Sequence, residues 1–232
     1  MSKLKWHEVG ERLYETGVEK GVLYPRNAEG LYPTGVAWNG LSQVSENPTG
    51  AEPTPIYADN IKYLNLMSVE EFEATIEAFT YPDEFAVCDG SAALQEGVFV
   101  GQQPRSTFGM SYVTKVGNDT ENEDYGYKVH LIYGAMASPS EKSYETINDT
   151  PEAITFSWDL NTTPVPVTGA KPTASLTIDS TKVSAEKLAE FEAILYGVDE
   201  IPGEGEEPPV QAAAAARLPL PDEVKALFAP VE

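Results

Sequence analysis

The chain has 232 residues, of which 41% are hydrophobic and 22% are charged, which is enough for one large domain or two small ones with a real core. Fifteen basic residues against thirty-seven acidic residues give a net charge of -22 and an isoelectric point near 4.3. This balance argues against a protein that binds duplex DNA, because such binding needs clustered Lys and Arg side chains to displace counterions.

The cysteine content and the N-terminus indicate where the chain is made. Cys88 is the single cysteine, so no intrachain disulfide is possible and we expect a buried, inert thiol formed in a reducing compartment. The first residues, MSKLKWHEVGERLYETG, contain no apolar run long enough for a signal peptide. No window approaches the roughly 18 apolar residues of a membrane helix. We therefore expect a soluble product of the cytoplasm.

A proline-rich stretch interrupts the first strand-like region. Residues 47 to 55, NPTGAEPTP, contain three prolines, which remove backbone donors and forbid a helix. The flanks, Leu41 to Val44 and Ile56 to Leu66, keep aliphatic and aromatic residues. The pattern predicts a projecting loop or hairpin over residues 40 to 66, in which two extended segments are joined by a stiff, exposed tip at the prolines. Such a projection suits a subunit that assembles with others.

Further short strands are predicted along the middle of the chain. A brief turn at residues 68 to 71 precedes a strand over about 73 to 81, a short helix is possible in residues 82 to 97, and β-rich runs cover 98 to 100 and 107 to 116. The polar segment 117 to 126 is typical of a hairpin connection. In the strand that follows it, alternation places Tyr127, Val129, Leu131 and Tyr133 on one face and Lys128, His130 and Ile132 on the other. Segments 152 to 167 and 173 to 183 add two strand candidates.

One helix is clearly indicated late in the chain, at about residues 184 to 196. Ser184 is a suitable N-cap, Leu188, Phe191 and Leu195 form an apolar face, and Gly197 is a natural stop. With the many short strands before it, this helix predicts a mainly β fold, a sandwich or barrel with one α-helix packed on it. The predicted domain covers residues 1 to 198.

The last 34 residues differ in composition from the rest. Residues 199 to 232 are rich in Pro, Gly and Ala and contain eight acidic and two basic residues. We expect an acidic C-terminal extension that is flexible or docks on a neighbour. Residues 221 to 228 are expected to form one or two helical turns with a small apolar face.

Residues typical of catalysis or metal binding are scarce. His7 and His130 are the only histidines, and no zinc spacing, nucleophile elbow or phosphate-binding glycine loop occurs. The acidic loop from Asn118 to Asp124 lacks the glycine and the closing glutamate of a calcium loop, which favours a solvated turn. We therefore predict no catalytic residue, no cofactor and no metal site, and we do not expect an enzyme. A hydrolase that uses a carboxylate pair is the third alternative.

Several motifs together resemble one protein family. They are Trp38-Asn39-Gly40, Gly50-Ala51-Glu52-Pro53-Thr54-Pro55, Tyr57-Ala58-Asp59 with Lys62, and Tyr81-Pro82-Asp83-Glu84-Phe85. The similarity extends through FGMSYVTKVGND, YKVHLIYGA and FSWDLNTTPVPV to the helix ending at Tyr196. In these residues the chain resembles the major tail protein, or tail-tube protein, of long-tailed (siphovirus-type) bacteriophages of Gram-positive hosts.

The resemblance implies a β-sandwich subunit that forms stacked hexameric rings, the hollow tail tube of a virion assembled in the host cytoplasm. Its implied partners are copies of itself and other tail proteins (tape measure, tail terminator and distal tail), while genome DNA passes through without specific binding. An inter-subunit loop is expected at the proline-rich projection; its residues are Asn47, Pro48, Gly50, Glu52, Pro53, Pro55 and Tyr57. Glu73 and Glu77 are the candidate lumen-facing acids.

Two interpretations of the acidity and two of the aromatic content stay open. The net negative charge either keeps an abundant protein soluble or lines a surface past which another polyanion moves without sticking. Trp6, Trp38 and Trp158 with twelve tyrosines either pack in the core or form a sugar-stacking face. The second choice would make the chain a β-sandwich module that binds carbohydrate or a receptor.

Overall fold

The computed structural model describes residues 3 to 147, 149 to 150, 152 to 200 and 213 to 230. The fold is mainly β, as predicted, and its large sheet is antiparallel. The strands are β1 (Tyr14–Pro25), β2 (Val36–Trp38), β3 (Leu41–Glu46), β4 (Thr49–Gly50), β5 (Pro53–Ala58), β6 (Ile61–Met67), β7 (Glu70–Glu71), β8 (Glu73–Ala78), β9 (Ala92–Gln95), β10 (Val98–Val100), β11 (Phe108–Asn118), β12 (Asn122–Ala137), β13 (Phe156–Thr162) and β14 (Ser175–Asp179). The helices are α1 (Ala185–Tyr196) and α2 (Pro221–Leu227), with a 3₁₀ turn at Asp83–Val87.

Eight strands form one sheet that curls on itself. Their order is β2-β1-β11-β12-β13-β8-β3, and β14 pairs with the middle of β12 while β13 pairs with its end. The two terminal strands, β2 and β3, are joined by the turn Asn39-Gly40, so the ends of the sheet meet. Gly21 in β1 lies so close to β3 that an added Cβ would be 3.1 Å from Leu41 Cδ2. The result is a barrel-like sandwich with an inner and an outer face.

The inner face holds an aromatic core. The Trp38 ring centroid lies 4.6 Å from that of Phe85 and 5.8 Å from that of Trp158, with the rings tilted or edge-on. The Trp38 indole donates a 2.9 Å hydrogen bond to the Thr80 carbonyl, which satisfies its buried polar group. Both tryptophans are buried, so core packing rather than ligand stacking accounts for them.

The outer face of β1, β11, β12 and β14 is covered by the helices. The predicted alternation in β12 is confirmed, because Val129, Leu131 and Tyr133 pack under α1 and Ile132 points into the aromatic core. Helix α1 begins where Ser184 accepts the Lys187 backbone N–H, as predicted, and ends at Gly197 with a positive φ of 79°.

Residues 213 to 230 pack on the body of the domain. Val198 and Ala214 form a β-bridge, Leu218 and Val224 are buried beside α1, and the Tyr133 hydroxyl donates to the Pro219 carbonyl at 2.9 Å. The expected helical turns at 221 to 228 form α2. The rest of the expected extension, residues 201 to 212 and 231 to 232, lies outside the described residues, and the domain boundary at residue 198 stays a prediction.

Three local predictions differ from the structure. Residues 68 to 71 do not form a turn, because Glu70 and Glu71 pair as a strand with Thr49 and Gly50. The tip of the projection is not the proline-rich stretch, which forms one side of a hairpin instead. Prolines are tolerated there because the strand is an exposed edge. A backbone N–H that faces solvent can be lost without breaking a hydrogen bond between strands. The expected helix in residues 82 to 97 shortens to the 3₁₀ turn, and its second half is β9.

Candidate functional site: an exposed arm and an acidic sheet face

The feature that separates this molecule from a self-contained sandwich is a two-stranded arm, defined as residues 49 to 71. Strand β4 pairs with β7 and β5 pairs with β6. At the tip, Asp59 and Asn60 both have positive φ, 51° and 61°, which is the two-residue type I′ turn that fits the twist of a hairpin. Every residue of β5 and β6 is exposed. The arm thus extends from the body without packing on it.

One side of the arm is apolar, and we call it the apolar arm face. It carries Ile56, Ile61, Leu64 and Leu66. Cross-strand pairing places Ile56 opposite Leu64, and the four side chains are 39% to 62% exposed. The opposite side carries Tyr57 and Met67, and Tyr63 lies at a register shift between the two strands; all three are exposed. An isolated two-stranded hairpin is marginally stable in water, and exposed apolar surface of this kind marks an interaction site.

The residues predicted for the inter-subunit loop are spread along this arm. Asn47 and Pro48 lie at its base, where the Asn47 N–H donates to the Glu73 carbonyl at 2.8 Å. Gly50 is in β4, and the Glu52 N–H donates to Ser68 Oγ at 3.3 Å. Pro53, Pro55 and Tyr57 occupy β5, on the side opposite the apolar arm face. The sequence prediction therefore identified the arm but not the side chains that make it apolar.

The base of the arm is tied to the inner sheet through a polar cluster that sequence analysis missed. Tyr112 donates from its hydroxyl to a Glu46 carboxylate oxygen at 2.5 Å, and its ring stacks on His130 at 4.7 Å between centroids. The two His130 ring nitrogens lie 2.9 Å from Thr114 Oγ1 and 3.4 Å from Thr177 Oγ1. Burial lowers the pKa of His130, opposed by the nearby Glu46 carboxylate. Alternation in β12 placed His130 on this face, but its partners come from three other strands.

Glu73 and Glu77 lie on the outward side of the layer formed by β3, β8 and β13, which we call the acidic face. Its side chains, found by register, are Gln43, Ser45, Glu73, Thr75, Glu77, Ser157, Asp159 and Asn161. Thr75 donates to Asp159 at 2.8 Å. The alternating neighbours in β8, Ala74, Ile76 and Ala78, are buried. None of the three strands contains Lys or Arg, so the face is polar and anionic.

The acidic loop between β11 and β12 is held by internal contacts. The Asn118 side chain accepts from the backbone N–H groups of Thr120 and Glu121, and one Asp119 carboxylate oxygen accepts from the Gly10 N–H at 2.9 Å. The other oxygen lies 3.6 Å from Arg12. These contacts tie the N-terminal segment to the hairpin. Across the described residues, no three His, Cys, Asp or Glu side chains converge as metal ligands would.

A second exposed hairpin, β9–β10, was not distinguished in the sequence. Strands β9 and β10 pair with each other alone in the part of the chain that is described, and Leu94, Val98 and Phe99 are exposed on them. Among the three tryptophans, only Trp6 in the N-terminal segment is exposed, so the alternative of a sugar-stacking face does not assemble from Trp38 and Trp158. No helix within the described ranges is long and apolar enough to cross a membrane.

Comparison with known proteins yields a structural likeness. Neither a protein-family model nor a curated protein sequence matches the chain. Among solved structures, the fold is similar to a chain in the cryo-EM structure of the anti-feeding prophage (AFP) baseplate, 6-fold symmetrised. The TM-score is 0.36 at 9% sequence identity, and the match covers 75% of this chain and 97% of the other.

Proposed function

We propose that this chain is a structural virion protein, the tail-tube subunit of a long-tailed bacteriophage, which assembles into stacked hexameric rings around a conduit for genome DNA. The observation that carries the proposal is the arm. A body with two packed cores extends a hairpin whose apolar side chains belong to neither core and are 39% to 62% exposed. Such a projection is unfavourable in a monomer and becomes favourable when another copy covers it.

The construction of the arm supports binding to a neighbour. Pro53 and Pro55 stiffen β5, which lowers the conformational entropy lost when the arm docks. Cross-strand pairing from Pro53–Met67 to Ala58–Ile61 holds the apolar residues on one side before any contact is made. A preformed binding face of this kind suits permanent assembly.

The acidic face supports a role as the wall of a conduit. Glu73, Glu77 and Asp159 present carboxylates on a sheet surface with no cation in its strands. A polyanion near this surface finds no Lys or Arg to replace its counterions, so it is not retained. The sequence resemblance to tail-tube proteins and the net charge of -22 point the same way.

The test is assembly of the purified chain. We expect rings or tubes in negative-stain images at high protein concentration, and their loss in the double variant Leu64→Ser, Leu66→Ser with an unchanged circular dichroism spectrum. The control, Leu94→Ser, removes an exposed leucine from the other hairpin and should still assemble. A wild-type chain that stays monomeric at every concentration would overturn the proposal.

A further inference from the structure

The body of the domain has an apolar groove beside β14. This strand of the large sheet has a free edge and lies next to the helices. The groove has a volume of about 550 Å³, lies between β14 and α2, and is lined by Val167, Leu176, Val183, Val224 and Phe228. Strand β14 pairs with β12 on one side, and its other side has no strand partner within the described residues. A short strand with one open edge beside an apolar groove is a surface that accepts an added strand.

The arm offers a strand that matches this surface. Its two outer edges differ, because β5 contains two prolines that lack backbone donors whereas β6, Ile61–Met67, has none. Strand β6 is therefore the edge that can form a new ladder. When β6 pairs with an edge strand, Leu64 and Leu66 lie on the same face of the new strand pair, because alternate residues of a strand share a face. That face can cover an apolar groove.

Charge favours the same pairing. The arm, residues 49 to 71, carries four acidic residues and one lysine, a net charge of -3. The groove, in a strongly acidic chain, is lined by Lys182 and Lys225 and by one acid, Asp179. Lys182 is paired with Asp179 at 3.1 Å, whereas Lys225 donates to the neutral Thr168 carbonyl at 2.7 Å. Lys187 likewise bonds to a carbonyl, that of Ala229, at the Phe228 end.

We infer that the arm of one copy docks in the β14–α2 groove of another copy, with β6 added to the free edge of β14 and the apolar arm face covering Val183 and Val224. The inference rests on the proposed function and specifies the surface through which copies bind each other. The contact joins two different surfaces, so each copy both donates an arm and receives one. The same contact therefore repeats from copy to copy until a ring closes or a stack extends.

Cysteine cross-linking between separately prepared copies tests this contact. The native Cys88 is 1% exposed, and burial raises its pKa to about 12, so it remains a thiol and contributes little background. One preparation carries Leu64→Cys and the other carries Val183→Cys. The two are mixed as unassembled protein, allowed to assemble and treated with a short bis-maleimide. We expect a covalent dimer that forms only in the mixture, because the two thiols are on different copies.

Two controls make the result specific. Leu94→Cys mixed with Val183→Cys should give no dimer, since Leu94 lies on the other hairpin. Lys225→Glu in the Val183→Cys copy should lower the yield by about twofold to fivefold, the range expected for losing a surface ion pair. Lys5→Glu, in the exposed N-terminal segment, should leave the yield unchanged.

The outcomes separate this inference from the proposed function. Rings or tubes with no Leu64→Cys to Val183→Cys dimer would overturn the groove assignment and leave the tail-tube proposal standing. A dimer between the Leu94→Cys and Val183→Cys copies would also overturn it, because the second hairpin would then occupy the groove. Absence of both assembly and cross-links would overturn both.

Discussion

The Tyr112 hydroxyl donates a 2.5 Å hydrogen bond to the carboxylate of Glu46, which ties β11 of the inner sheet to the strand that leads into the arm. Burial and the adjacent carboxylate raise the pKa of Tyr112, so its hydroxyl remains a donor at all physiological pH values. Because Glu46 is the last residue of β3, this contact fixes the position from which the arm starts. It joins the core of the body to the proposed assembly element.

Removing this hydroxyl should weaken the body by a modest amount. We expect Tyr112→Phe to lower the free energy of unfolding by about 1 kcal/mol, because one charge-assisted hydrogen bond is lost while Glu46 can still bind water. Urea denaturation followed by fluorescence measures the change. Tyr144→Phe, at an exposed position outside any strand, is the control and should have no effect. Equal midpoints for both variants would contradict a structural role for the Tyr112–Glu46 contact.

The base of the arm should depend on glycine at position 50. Gly50 has a φ of 79°, and an added Cβ would lie 2.2 Å from the carbonyl oxygen of Val69, the residue before the paired strand β7. Gly50→Ala should therefore separate β4 from β7 and speed amide hydrogen exchange in residues 49 to 71 without changing exchange in β12.

Gly97→Ala is the matched control for this variant. Gly97 has a similar φ of 75°, but an added Cβ there meets nothing within 4 Å. It should cost only the backbone strain of about 1 kcal/mol and leave exchange in the arm unchanged. Similar arm exchange in the two alanine variants would show that backbone strain, and not contact with Val69, explains the effect.

Local patterns in the sequence predicted the elements whose causes are local. The Ser184 cap, the apolar spacing of α1 and the alternation in β12 each depend on neighbouring residues, and each is confirmed. The prolines at 48, 53 and 55 indicated a projection, yet its tip is at Asp59 and Asn60. A two-residue turn with positive φ at both positions determines where the hairpin reverses.

Long-range pairing was not predictable from the sequence alone. The groove depends on β14 adding beside β12 and on α2 returning over it, contacts that join residues more than 40 positions apart. The composition of residues 199 to 232 indicated flexibility because Pro, Gly and Glu dominate it. Leu218, Pro221 and Val224 are nonetheless buried, because apolar side chains of this short segment dock on the core.

The C-terminal segment should contribute strongly to stability. Leu218 is 3% exposed and packs closely against Gly109, where an added Cβ would lie 2.4 Å from Leu218 Cδ2. We expect Leu218→Ala to lower the free energy of unfolding by about 3 kcal/mol, the usual cost of a cavity at a buried leucine. Leu94→Ala, 68% exposed, should change it by less than about 0.5 kcal/mol. A small effect at Leu218 would mean that residues 213 to 230 detach readily.

Acid should destabilise the fold partly through His130. Burial lowers its pKa in the folded state below the ordinary value, so the unfolded chain binds a proton first as the pH falls. Stability should thus decrease as the pH drops through the ordinary histidine range of about 6.5 towards the folded-state pKa. Urea titrations between pH 7 and 5 should show a smaller decrease in His130→Asn than in the wild type. His7→Asn, in the exposed N-terminal segment, should retain the wild-type pH dependence.

Reversing the charge of the acidic face should make assembled particles retain DNA. The double variant Glu73→Lys, Glu77→Lys places two cations on a surface whose strands have none, so each can release counterions from a phosphate backbone. We expect a labelled duplex to co-sediment with variant tubes at low salt and to dissociate as salt rises, whereas wild-type tubes leave it in solution. Glu121→Lys, Glu186→Lys makes the same change of +4 in net charge at exposed positions in the β11–β12 loop and in α1. Equal retention by the two variants would show that net charge alone matters, and retention by neither would contradict the assignment of Glu73 and Glu77 to the conduit wall.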